Sequence, residues 1–396
     1  MVKTDIVSTS APTVWVLVDD RPGNTTQPLG LAHALGWPFT IKELHFTETA
    51  AVLKFFLGPY AATRFGVDHT RSAPLTPPWP HIIIAAGWRP AQVARWIQRQ
   101  SRGATRLVQL GRKGGHVAGL FDVVISCSYF HQTPHPQRLE TIAPLTRISA
   151  EQLQQAAQHW QALVAEAPHP RIMALVGGAT NRHQFNATIA QQLGTDLHTL
   201  GNTMGGSLFV TTSRRTTTEA TAALRAALGD AVYLYEWQPG APQDNPYLAF
   251  LALADILVVT GESESMLAEA AATGKPFFIY PLPERKQAQN WRKRCKAWIK
   301  STVAAHAKPL SDNHSALSGM VSYFCQWLIA SGIVRPRRDL AELHHALIRG
   351  GRASVFGTPL PSQQSVIPRE IDEVALKIKA LLGFAEKPVQ RVEEEV

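Results

Sequence analysis

NPYLAFLALADILVVTGESESMLAEAAATGKPFFIYPLPERKQAQNW, residues 245–291, reads as helix, strand, turn, helix, turn and strand in succession. ILVVT (256–260) and FFIYP (277–281) are almost wholly apolar, rich in β-branched and aromatic residues, and too short for helices. A strand without a polar face must be covered on both sides, and parallel sheets achieve this with crossover helices. The residues between the two runs supply such a helix, and TGKP turns the chain back into the second strand. Seven runs of the same kind lie upstream: VWVLV (14–18), IIIAA (82–86), RLVQL (106–110), DVVIS (122–126), IMALV (172–176), LFVTT (208–212) and VYLY (232–235). The fold class is α/β.

The runs break between 126 and 171, where the polar stretch HQTPHPQ precedes a helical segment over 149–167 and the turn APHPR. Pro-rich polar sequence continues neither a strand nor a helix, so the break marks a crossover between two domains, over 1–165 and 166–366. Each half opens on a strand, a glycine-bearing turn and a helix: VWVLVDDRPGNTTQPLGLAHALG and RIMALVGGATNRHQFNATIAQQLG. After 281 the pattern reads as helical over 288–306, 314–331, 340–348 and 368–382. The last helix and its charged tail form a third segment, 367–396, expected to pack back toward the first domain.

A chain of 396 residues is long enough for two large domains. With 45% hydrophobic and 17% charged residues it has ample core material and too little charge for a disordered or coiled-coil protein. Lys and Arg number 39 against 30 Asp and Glu, so the net charge of +9 favours an anionic partner: a nucleic acid, a lipid headgroup or a phosphorylated small molecule. Cys127, Cys295 and Cys325 form no CxxC pair and read as reduced thiols of a cytoplasmic protein. The N-terminus lacks an apolar h-region, and the run over 320–334 falls short of the ~20 residues that span a bilayer. Neither a signal peptide nor a transmembrane helix is expected. His and Cys show no zinc spacing, and there is no G-x-S-x-G or P-loop, so no metal and no cofactor is expected.

Three turns carry candidate chemistry. VGGAT (176–180) follows a buried strand and is expected to open a helix, so that the amides of Gly177 and Gly178 approach a diphosphate and Thr180, Asn181 and Arg182 donate to its oxygens. The plainer reading is that the glycines only allow a tight turn. VTTSRR places Ser213, Arg214 and Arg215 at the carboxyl edge of the sheet, where guanidinium forks suit phosphate; alternatively, the arginines cap a helix from about Thr216. In GESES, Gly261, Ser263, Ser265 and the turn amides face the phosphates, and Glu269, one turn into the next helix, stays ionised and accepts ribose hydroxyls, unless it merely caps that helix. Downstream, Gln287, Gln289 and Asn290 offer amides to sugar hydroxyls or are simply solvated.

The segment TGESESMLAEAAATGKPFFIYPLPERKQAQNW resembles the nucleotide-sugar segment of GT-B glycosyltransferases, particularly the peptidoglycan lipid-intermediate N-acetylglucosaminyltransferase. Over nearly the whole chain, the sequence also resembles the mitochondrial-fission "elongated mitochondria" proteins of bacteria and plants. The matching pieces lie in 15–36, in AAGWRPA (85–91), FDVVIS (121–126), TTSRRT (211–216) and NPYLAFLALAD (245–255). Where that group typically has Thr-x-Asp-Ser-x-Ser-Met, this chain has TGESESM, a departure at Gly261 and Glu262 that bears on the phosphate or sugar contacts.

The resemblance implies a GT-B-like pair of Rossmann-like domains facing a cleft, with the donor on the C-terminal domain and the acceptor on the N-terminal one. It implies a metal-independent, inverting transfer from a nucleoside-diphosphate sugar, UDP-linked, to a lipid-linked or cell-envelope glycan acceptor. The VGGAT amides and Arg214 or Arg215 would neutralise the leaving diphosphate, and an N-domain base would deprotonate the acceptor. Asp20 is the favoured base, with His116 and His131 as alternatives, and Gly23 and Gln27 would shape the same turn as Asp20 and approach the acceptor. Asp20 equally suits a purely structural role in the DDRPG turn. The other implied functions are a nucleotide-sugar 2-epimerase and a non-catalytic interaction protein on the same scaffold.

WRKRCKAWIK (291–300) gathers Arg292, Lys293, Arg294, Lys296 and Lys300 with two tryptophans. This composition suits an anionic membrane surface and a peripheral location on the inner face of the cytoplasmic membrane, or else a solvated helix face. No helix-turn-helix, zinc or ribonucleoprotein motif accompanies it, so nucleic acid is not the expected partner.

Overall fold

The computed structural model describes residues 11–20, 22–47, 61–111, 118–132, 134–240, 245–285, 302, 321, 340–360 and 370–384. His116, the amides of Gln287, Gln289 and Asn290, and the basic segment with Arg292, Lys293, Arg294, Lys296 and Lys300 lie outside these residues.

The first half builds a six-stranded, wholly parallel sheet in the order β2-β1-β3-β4-β5-β6. Its strands are β1 (Val14–Val18), β2 (Phe39–Glu43), β3 (Ile82–Ala86), β4 (Arg106–Leu110), β5 (Val123–Cys127) and β6 (Arg138–Thr141). Helix α1 (Pro22–Leu35) opens on a proline, whose missing N–H has no intrahelical partner to lose. Gly87, at φ 79°, turns β3 into α2 (Trp88–Gln100).

The strands at the two sheet edges, β2 and β6, went unread in the sequence. FTIKE has no buried residue and RLET only one, so both lack the continuous apolar run that marks the central strands. In β6 the chain resumes pairing soon after HQTPHPQ, so the break expected across 126–171 is shorter than the sequence suggests.

The second half builds another six-stranded parallel sheet, ordered β12-β11-β10-β7-β8-β9. It comprises β7 (Arg171–Leu175), β8 (Ser207–Thr211), β9 (Tyr233–Tyr235), β10 (Ile256–Thr260), β11 (Phe277–Tyr280) and β12 (Ala353–Val355). Counted within this half, the order is 6-5-4-1-2-3, the doubly wound Rossmann arrangement. The chain winds outward from β7 in one direction and from β10 in the other, so a crevice opens between their carboxyl ends. β12 corrects the expectation that only helices follow 281; three residues are too few to show a period.

Helices α4 (Ala187–Met204) and α5 (Thr218–Leu228) cover one face of this sheet, burying Leu193, Leu197 and Leu224 against Ile172, Ala174 and Val210. On the other face lie α3 (Ala150–Val164), α6 (Tyr247–Leu253), α7 (Glu264–Ala272) and α8 (Leu340–Arg349). The two halves share this second core. Tyr129 and Phe130, just beyond β5, pack in the same cluster as Leu343 and Leu347 of α8. The last helix, α9 (Glu370–Leu381), sends Ile371, Val374, Ala375 and Ile378 into the core of the first sheet. Its Glu370 carboxylate accepts the amides of Ile142 and Ala143 at 2.6 and 3.1 Å. Among the described residues no helix is long and apolar enough to cross a membrane.

Candidate functional site

Three loops meet at the carboxyl ends of β7, β8 and β10. The Gly177 N–H donates to Thr260 Oγ1 at 2.8 Å, and the Gly178 N–H donates to Glu262 Oε1 at 2.7 Å. The Gly177 carbonyl accepts the hydroxyls of Ser213 and Thr216 at 2.8 and 2.6 Å. Arg215 sends its guanidinium to Glu262 Oε1 at 3.2 Å; its own side chain is 34% exposed, whereas that of Glu262 is fully buried. Burial pushes the Glu262 carboxyl above its usual range, and the Gly178 N–H and Arg215 pull it back only in part.

This arrangement corrects the reading of VGGAT. A Cβ on Gly177 would sit 1.8 Å from Glu262 Oε1, and one on Gly178 would sit 2.3 Å from the Arg215 carbonyl oxygen. The glycines are demanded by the protein's own close packing, and the Gly178 N–H expected to face a phosphate donates to the carboxylate of Glu262. Nor does the turn open a helix, because α4 starts only at Ala187, its end capped by Asn186 Oδ1 accepting from the Ile189 N–H at 3.0 Å. In between, Thr180 is spent on its own turn, its hydroxyl oxygen accepting the N–H groups of Arg182 and His183 at 3.2 and 2.9 Å. Asn181 is exposed.

The remaining donor residues divide. Ser213 ties the β8 loop to Gly177, Arg215 pairs with Glu262, and Arg214 is exposed at the rim. Gly261 lies in the β10 loop, its N–H donating to the Tyr280 carbonyl and its own carbonyl accepting from His344 Nε2 at 2.7 Å. Ser263 is the buried first cap residue of α7, without a side-chain cap bond, and Ser265 is exposed on that helix.

Glu269 sits in the second turn of α7, since the helix starts at Glu264. Its carboxyl accepts the hydroxyl of Tyr247, at the start of α6. Burial pushes it up to about 7, against the expectation that it stays firmly ionised. The helix dipole fades beyond the first turn, and desolvation wins.

On the first sheet, Asp20 is exposed just past the carboxyl end of β1, whereas its neighbour Asp19 is buried. Gly23 and Gln27 belong to α1, not to the turn before it, and Gln27 is half-buried. His131, in a left-handed conformation at φ 48°, directs Nε2 at Glu342 Oε2 of α8, 3.1 Å away. The ring that stood as an alternative base therefore bridges the two halves of the molecule.

Sequence reading named Glu262 only as a departure from the family pattern and missed Tyr247 and His344 as partners in this site. Only Glu262 had a local signal, an acid two residues past a buried strand at a carboxyl edge. Tyr247 and His344 meet their partners across long sequence separations.

Among solved structures, the chain is similar to the UDP-GlcNAc 2-epimerase from Neisseria meningitidis bound to UDP-GlcNAc, at 11% identity and TM-score 0.40, covering 85% of this chain and 99% of that one. It is also similar to a UDP-glucosyltransferase from Polygonum tinctorium, at 9% identity and TM-score 0.43, covering 95% and 100%. The mitochondrial fission protein ELM1 of Arabidopsis thaliana is 28% identical over 222 residues, 50% of this chain and 51% of that relative, so the match spans about half the relative's length. The family model described as Mitochondrial fission ELM1 matches residues 22–306, most of the chain. The protein belongs to the mitochondrial fission ELM1 family.

Proposed function

We propose that the protein is a glycosyltransferase that moves a sugar from a UDP-linked donor to a lipid-linked or cell-envelope glycan acceptor at the inner face of the cytoplasmic membrane. One observation carries this reading: the doubly wound second sheet brings Gly177–Gly178, Ser213–Arg215 and Gly261–Ser265 to a single switch point. In the proposed role Arg215 and the exposed Arg214 take up the charge of the leaving diphosphate without a metal ion. Asp20, exposed at the carboxyl edge of the first sheet, takes the acceptor's proton.

A buried carboxylate at the switch point, Glu262, favours nucleotide-sugar 2-epimerisation as the second reading. Incubating the protein with a panel of nucleotide sugars and a membrane lipid extract separates the cases. A transferase releases free UDP only when acceptor is present, and an epimerase interconverts sugars without it. Neither outcome leaves a non-catalytic scaffold. In the transferase, Asp20→Asn is expected to spare donor binding and abolish turnover; retained turnover removes Asp20 as the base.

A further inference from the structure

Glu262 combines three features that a simple loop staple does not need. Its Oε1 takes both donors that an oxyanion at the switch point would use, the Gly178 N–H at 2.7 Å and the Arg215 guanidinium at 3.2 Å. Its Oε2 is buried with no hydrogen-bond partner among the described residues, and an unmade bond on a desolvated oxygen is costly. The carboxylate lies directly against the main chain at Gly177, where no side chain could coexist with it. Arg215, at 34% exposure, connects this seat to solvent.

We infer that Glu262 is a latch on an oxyanion seat: its carboxylate fills the place formed by the Gly178 N–H and Arg215, and a diphosphate binds there by displacing it. A phosphate group carries more acceptor oxygens and makes charge-assisted bonds to both donors, whereas Glu262 leaves one oxygen unpaired. The latch would also select against weakly charged ligands, which gain too little to move a paired carboxylate. The inference rests on the nucleotide-sugar reading for the identity of the ligand, and on this geometry alone for the seat.

The test is calorimetric titration of the full chain with UDP and, separately, with inorganic pyrophosphate. Glu262→Gln keeps the size and removes the charge. Glu262→Asp keeps the charge but shortens the reach by one methylene, drawing it away from Gly178. Both variants are expected to bind each probe about tenfold more tightly than the unaltered protein, the scale of one charged hydrogen bond, and adding Arg215→Ala should erase the gain. Should Glu262→Gln fail to fold, Glu262→Asp decides. Binding equal to or weaker than that of the unaltered protein overturns the latch and leaves the donor site standing if UDP still binds. Tighter pyrophosphate binding without any UDP binding upholds the latch and overturns the nucleotide reading. No binding of either probe by any form overturns both.

Discussion

At the scale of single residues, Glu269 shows how burial reshapes a site that looks simple on paper. Its carboxyl is pushed up to about 7, and the Tyr247 hydroxyl is the one named contact that favours its charged form. Below the ordinary carboxylate pKa both folded and unfolded chains hold the proton. As pH rises toward 7 the unfolded chain releases it first, so stability falls across that window by on the order of 1–3 kcal/mol. Glu269→Gln should flatten this loss, narrowing the difference between urea unfolding at pH 5 and at pH 8. Tyr247→Phe removes the bond to the charged form and should steepen it. An unchanged pH dependence in both variants would show that the carboxyl is solvated. The acid and its helix were legible in the sequence, but its charge state was not, because it depends first on tertiary burial and then on a tyrosine 22 residues away in the chain.

At the scale of elements, the loops after β7 and β8 behave as one unit, since Ser213 and Thr216 both hold the Gly177 carbonyl. Gly178→Ala would drive a methyl to 2.3 Å from the Arg215 carbonyl, so the loops must part. We expect a loss of about 1–3 kcal/mol together with weaker UDP binding, read by chemical denaturation and calorimetry. Asn186→Ala, which removes only the cap of α4, should cost about 1 kcal/mol and leave UDP binding unchanged. Central strands were legible because burial on both faces leaves an uninterrupted apolar run. β2, β6 and β12 were not, being half-exposed edge strands or only three residues long.

At the scale of the molecule, the last helix returns to the first sheet instead of extending the second. Ile378, fully buried there beside Val374 and Leu31, links residues more than 300 apart in sequence. Ile378→Ala should cost about 2–5 kcal/mol and raise amide hydrogen exchange in β1 and α1 first. Protection lost first in the second sheet would contradict this packing.

The amphipathic pattern of residues 368–382 foretold a helix with one buried face, and the apolar runs foretold parallel sheets covered by helices, because period and hydrophobicity are local properties of the chain. The sequence by itself thus determined the α/β class, the succession of strands and helices, and the glycines at the strand ends. What fills the space those glycines leave was decided only when β7 and β10, separated by three helices and two strands, came to lie side by side. There the carboxylate of Glu262 stands against Gly177 and Gly178, a contact across 84 residues that no local pattern encodes.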